Sequence, residues 1–245
     1  MPDVEGAGVA LSYSERGDGL PLLVVHGMAS DADAWTASLE ELAAAGARVI
    51  AYDRRGYGSS GAPQPYAATT VQEQSEDAAK LLEALDAAPA ILVGEGFGAL
   101  VALELLVRRP QLASSAVLSD PPLHAFVAEA TAALAAERVL LESGLREGGP
   151  GAAVRAWLAA AGGAADAGRA ERAAAAQLGF FADYAGQSSW TPARRELRAI
   201  GVPVAVVTGP GTPPHVVAAA DAVAALLADA RRASDGDVVA AVRAL

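Results

Sequence analysis

Three histidines and a set of carboxylates are the candidates for proton chemistry in this chain, which contains no cysteine. Thiolate nucleophiles, thiolate metal sites and disulfides are all excluded. Among the carboxylates Asp120 stands out. It closes the apolar run Ser115 to Leu118 and precedes Pro121-Pro122. A carboxylate at a strand end, covered by the segment that follows, loses hydration, and desolvation raises its pKa toward the range of a general base. The competing reading is a cap on the Pro-Pro turn. His124 lies close enough in sequence to share that environment and is the histidine expected over a pocket. His26, in a His-Gly turn, reads as structural. His215, which follows Pro213-Pro214 at a helix start, reads as a surface residue.

The elements that must position these residues alternate. Short runs apolar on both faces, Leu20 to Val25, Arg48 to Tyr52, Ala90 to Val93, Ser115 to Leu118 and Val202 to Val207, predict strands of a buried parallel sheet. Helical patterns at Ala34 to Ala45, Thr70 to Leu85, Phe97 to Arg109 and Pro214 to Leu227 lie between them. The class is α/β, with a mostly parallel doubly wound sheet. The alternation stops between Leu123 and Thr191, where Val127 to Gly144, Ala152 to Ala161 and Ala167 to Leu178 predict helices. The expected organisation is a core over 1–122 and 191–245, with a helical cap over 123–190. The cap's large apolar residues are Phe126, Trp157, Phe180, Phe181 and Trp190. Phe126, Trp157 and Trp190 are the expected substrate-pocket residues.

Punctuation follows each strand in a particular order. His26-Gly27-Met28 comes first, then Asp53-Arg54-Arg55-Gly56-Tyr57-Gly58-Ser59-Ser60, then Gly94-Glu95-Gly96-Phe97-Gly98 between a strand and a helix, then Asp120-Pro121-Pro122. This series resembles the α/β-hydrolase superfamily over essentially the whole chain. The resemblance implies that Gly94 to Gly98 is the strand–turn–helix nucleophile elbow, G-x-S-x-G in that family. It implies an oxyanion pocket made of the Phe97 and Met28 backbone N–H groups. It also implies departures. The nucleophile position is Gly96, which has no side chain to form a covalent intermediate. The turn expected to bear the catalytic histidine is Ala230 to Asp237 and has none, with Asp237 expected to cap the last helix. Glu95 fills a position read as structural.

Composition narrows the partners. The chain has 245 residues and a net charge of −11. That length buries about 70–75% of the unfolded surface in one core, and that acidity argues against nucleic acid. No apolar run reaches a membrane span and the N-terminus lacks signal-peptide regions, so a cytoplasmic protein with no membrane partner is expected. Gly94 to Ala99 also fits G-x-G-x-x-A, and Gly56 to Gly61 fits G-x-G-x-x-G. Two strands precede the first pattern, and Pro63 and Pro65 block a helix after the second, so dinucleotide binding is the weaker reading. No zinc, P-loop or haem motif occurs, and neither metal nor cofactor is expected.

Three functional classes remain open. One is a cofactor-free, non-covalent enzyme of cyclase, isomerase, lyase or decarboxylase type, acting on a hydrophobic carbonyl-containing small molecule through the backbone oxyanion pocket. Another is a catalytically silent small-molecule binder or scaffold. The last is a hydrolase using water activated by Asp120 or His124. A ligand-sized closed pocket over Gly96 favours the enzymatic readings, and a filled pocket favours the scaffold.

Overall fold

The computed structural model describes residues 1–128, 130–162 and 167–245. Among them, eight strands form one sheet in the order β1-β2-β4-β3-β5-β6-β7-β8. β1 (Asp3–Glu5) and β2 (Ala10–Arg16) make an antiparallel margin, with β2 antiparallel to β4 (Ala47–Tyr52). The rest is parallel: β3 (Leu20–Val25), β5 (Ala90–Glu95), β6 (Ala113–Ser119), β7 (Val204–Val207) and β8 (Ala230–Ala233).

The continuous apolar runs arise because both faces of this sheet are covered. Successive residues of β3 enter different cores. Leu23 and Val25 join Ile50, Tyr52, Leu92 and Leu118 beneath α2 (Val71–Ala84) and α3 (Phe97–Arg108). Leu22 and Val24 join Val49, Ala51, Val93 and Val117 beneath α1 (Thr36–Ala44) and α9 (Val238–Arg243). β1, β2 and β8 were not among the predicted strands. β2 has the polar-interrupted sequence of a half-exposed strand, and β8, Ala-Arg-Arg-Ala, is a short margin strand with no buried residue.

Between β6 and β7 the structure is helical, as expected. α4 (Ala130–Ala160) is broken at Gly149, whose φ of 76° and ψ of −172° are not helical. The chain folds back there, and Gly144 packs so tightly on Ala153 that a Cβ at 144 would sit 2.5 Å from the Ala153 Cα. α5 (Ala167–Ala175), α6 (Gln177–Ser189) and α7 (Arg194–Arg198) follow, and α8 (Pro214–Leu226) comes after β7. No helix among the described residues is long and apolar enough to cross a membrane.

Candidate active site

The turn from β5 into α3 is made by Gly96 alone. Gly96 adopts φ 53° and ψ −119°, a conformation that strains any residue with a side chain. Its N–H donates to the Ser119 carbonyl at 2.8 Å, which places the end of β6, and with it Asp120, beside the turn. The Phe97 N–H opens α3, where the helix dipole favours negative charge. Neither the Phe97 nor the Met28 N–H has a backbone partner among the described residues. Gly96, Phe97, Met28 and Asp120 line one cavity of about 750 Å³. Its roof comes from α4 and α5, and one flank from Thr212 to Val216.

A buried network fixes the His26-Gly27 turn. The Arg54 N–H donates to His26 Nε2 at 3.0 Å, so His26 Nδ1 carries the proton and donates to the Gly27 carbonyl at 2.8 Å. Burial, then the Arg54 charge, holds the His26 pKa well below 6.5. The role is structural, as expected. The Arg54 guanidinium donates to the His26 and Gly27 carbonyls at 2.8 and 2.9 Å and pairs with Asp183 of α6 at 2.7 Å. Tyr57 and Gln74 donate to the same carboxylate, at 2.7 and 2.6 Å. The turn that presents the Met28 N–H is thereby anchored to the cap. Glu95, which also lines the cavity, accepts from the Gly27 N–H and the Trp35 indole N–H, each at 3.3 Å, and so braces the turn.

Asp120 does not cap the Pro-Pro turn. The N–H groups of Leu123 and His124 go to the Pro121 and Pro122 carbonyls. Asp120 Oδ1 instead accepts from the Thr212 hydroxyl at 2.6 Å, and that hydroxyl accepts from the Gly209 N–H at 2.8 Å. Burial raises the Asp120 pKa, opposed by the Thr212 hydrogen bond, the Arg232 charge and Gly209. Its backbone is left-handed, at φ 49°, uncommon for aspartate and consistent with a constrained site.

His124 lines the cavity, and so does His215, whose ring centroid lies 5.3 Å away. His215 is half-buried, and the surface role expected from sequence is corrected accordingly. Burial and the neighbouring His215 push the His124 pKa down to about 4, so its ring is neutral at pH 7. His124 Nε2 is buried without a partner. The turn after β8 holds no imidazole. Asp237 accepts from the Ala240 N–H at 2.8 Å and caps α9, as expected.

The family model for the alpha/beta hydrolase fold matches residues 21–142. The chain is an α/β-hydrolase-fold protein. Solved structures with the same fold include an esterase from Thermogutta terrifontis with malate bound (22% identity, TM-score 0.79, 100% of this chain and 97% of that one). An alpha/beta hydrolase from Sphaerobacter thermophilus is similar as well (22% identity, TM-score 0.78, 99% and 98%). An epoxide hydrolase from Caballeronia sordidicola is 36% identical over 108 residues, 44% of this chain and 33% of that protein. The matched stretches span less than half the length of the curated relatives.

Within this α/β-hydrolase fold the expected pocket aromatics divide. Trp157 lines the cavity. Phe126 and Trp190 do not, and their assignment to the pocket is corrected. Phe126 packs on the core beneath the Arg194 guanidinium, 4.8 Å from its ring centroid. Trp190 is buried in the main core and donates to Glu104 at 2.9 Å. Phe180 is buried inside the cap with Phe181, Tyr184 and Trp157 around it. Sequence reasoning missed Glu137, Thr212 and the Arg54–Asp183 pair. Glu137 is one of several charges along an alanine-rich helix, and Asp183 is 129 residues from its partner, so neither leaves a local signal. Thr212 had one, its place in the turn after β7, where the sequence carries a hydroxyl and no carboxylate.

Proposed function

We propose that this α/β-hydrolase-fold chain is a cofactor-free, non-covalent enzyme acting on a hydrophobic carbonyl compound. The observation that carries the reading is one cavity lined by both Asp120 and the Phe97 and Met28 turn, at an elbow where Gly96 offers no nucleophile. Its volume suits a small molecule, and a space over Gly96 that side chains do not fill counts against a scaffold. The substrate carbonyl oxygen accepts from the Phe97 and Met28 N–H groups. Asp120 removes a proton from the adjacent carbon, and the electron pair moves onto the oxygen as an enolate. Preorganised backbone donors stabilise that charge. The proton returns to the same or a conjugated carbon and Asp120 is regenerated, the course of an isomerase. An enolate able to expel a leaving group or attack an internal electrophile gives a lyase or a cyclase instead.

Deuterium exchange next to the carbonyl, followed by NMR over a panel of hydrophobic ketones in D2O, tests this without knowledge of the product. Wild type should catalyse exchange on at least one compound, and Asp120→Asn should slow it about 100-fold or more. Exchange unaffected by Asp120→Asn removes the carboxylate from the chemistry. A second reading has support in the solved neighbours, one of them an esterase: Asp120 activates water against an ester or lactone, and the same N–H groups hold the oxyanion. Hydrolysis without exchange, lost in Asp120→Asn, favours that reading.

A further inference from the structure

The proposed chemistry uses the floor of the cavity and leaves its roof unexplained. Ala133, Ala136, Glu137 and Leu140 present one face of α4 to the cavity, at the spacing of a single helical stripe. Three are apolar. Glu137 is a carboxylate set into an apolar wall, a placement that costs hydration and needs compensation. The compensation comes from two donors within the cap. The indole N–H of Trp157, on the returning half of α4, donates to Glu137 Oε1. The Tyr184 hydroxyl of α6 is hydrogen-bonded to it as well. Burial raises the Glu137 pKa, while Trp157, Tyr184 and the His215 charge oppose the rise. None of these groups is an arginine or lysine. Arg169 lines the cavity on a different side, where Glu95 and it also line a smaller adjoining cavity. Beside His215 lies His124, whose Nε2 is buried and without a partner. The roof therefore offers a carboxylate acceptor, fixed by two side-chain donors and set in an apolar wall, with a buried, unpartnered ring nitrogen on the neighbouring His124.

We propose that Glu137 receives a hydrogen-bond-donating head group of the ligand, an ammonium or a hydroxyl. The ligand is then a carbonyl compound carrying such a head on an apolar body. The position of the carbonyl rests on the proposed function above; the head-group preference does not. A half-buried carboxyl acceptor discriminates strongly, because a ligand lacking the donor leaves it desolvated and unmatched. A carboxylate head meets like charge at Glu137 and is disfavoured there.

Four alkyl ketones with a common body test this by titration calorimetry: one unsubstituted, the others ending in an ammonium, a hydroxyl or a carboxylate. Wild type should bind the ammonium or the hydroxyl ketone about tenfold or more tightly than the unsubstituted one, and the carboxylate ketone least. Glu137→Gln should remove most of an ammonium preference. If the hydroxyl ketone is the best ligand, Glu137→Gln should reduce its advantage only a few-fold, because the amide oxygen still accepts. Equal binding of the four ketones by wild type, or an ammonium preference that survives Glu137→Gln, overturns the assignment. Thermal unfolding verifies that the variant is folded. Should it not be, Glu137→Asp keeps the charge, withdraws it by one methylene and should reduce the same preference. Asp120→Asn separates this inference from the function it extends: it should slow exchange about 100-fold or more and leave the head-group preference intact.

Discussion

Arg54 Nη2 lies 2.7 Å from Asp183 Oδ2, with both side chains fully excluded from solvent, and the same guanidinium nitrogen donates to the Gly27 carbonyl at 2.9 Å. One residue of the cap thus holds the arginine that orients the turn bearing the Met28 N–H. Removing one member of a buried ion pair leaves an uncompensated charge, so Asp183→Ala should cost about 3–5 kcal/mol in urea unfolding. Tyr57 and Gln74 lose an acceptor in the same variant. A loss below about 1 kcal/mol, the worth of an exposed pair, would show that the pair is not desolvated in solution.

The raised pKa of Asp120 sets a pH dependence for the exchange reaction. A general base works only when ionised, so the rate should climb with pH and level off above the Asp120 pKa, which lies above the ordinary 3.8. Thr212→Val removes a hydrogen bond that favours the carboxylate and should move the midpoint further up. A midpoint that stays in place in Thr212→Val would mean that another group controls the profile.

His124 sets a pH dependence of stability. Its folded pKa of about 4 lies below the ordinary 6.5, so the unfolded chain binds the proton first as pH falls. Stability should decline from about pH 6.5 to about pH 4, with no further contribution from this residue below that. His26 is also lowered and adds to the slope. Urea midpoints measured across the window should fall less steeply for His124→Asn than for wild type. Identical slopes would place His124 in water.

A fluorophosphonate probe should leave wild type unlabelled, because Gly96 has no side chain to attack it. Gly96→Ser has room, since a Cβ there meets only the Gly27 Cα, at 3.8 Å. The positive φ adds about 1–2 kcal/mol of strain. Even so, the variant should not hydrolyse p-nitrophenyl acetate appreciably, because the turn after β8 supplies no imidazole and a serine without its base gains little. Fast turnover in Gly96→Ser, lost again on adding His215→Ala, would reveal His215 as a latent base.

Gly144→Ala should disturb the cap hairpin, because its methyl group would meet the Ala153 Cα at 2.5 Å. Overpacking of this kind costs about 1–3 kcal/mol. Hydrogen exchange should report the loss in α4, with β3 and β5 still protected. Unchanged protection of α4 would mean that the two halves do not pack this closely.

The parallel strands other than β8 were legible in the sequence because a strand covered on both faces must be apolar at successive positions, as Leu20 to Val25 and Ala90 to Val93 are. The elbow was legible because a strand, a tight glycine turn and a helix follow one another within a few residues around Gly96. Which distant side chains meet was not. His215 follows two prolines at the start of α8, a pattern common on surfaces, and only the packing of α8 beside the cap puts its ring against His124. Trp190 and Trp157 are both aromatic residues of one helical segment, yet one is buried in the sheet's core and the other lines the cavity. Glu137 gains its place from the fold-back at Gly149, which brings Trp157 over it from 20 residues away. Local pattern determines which segments are strands and helices, because hydrophobic periodicity and turn chemistry act over a few residues. The identity of the groups facing one cavity depends on contacts between elements far apart in the chain, and those only the tertiary structure decides.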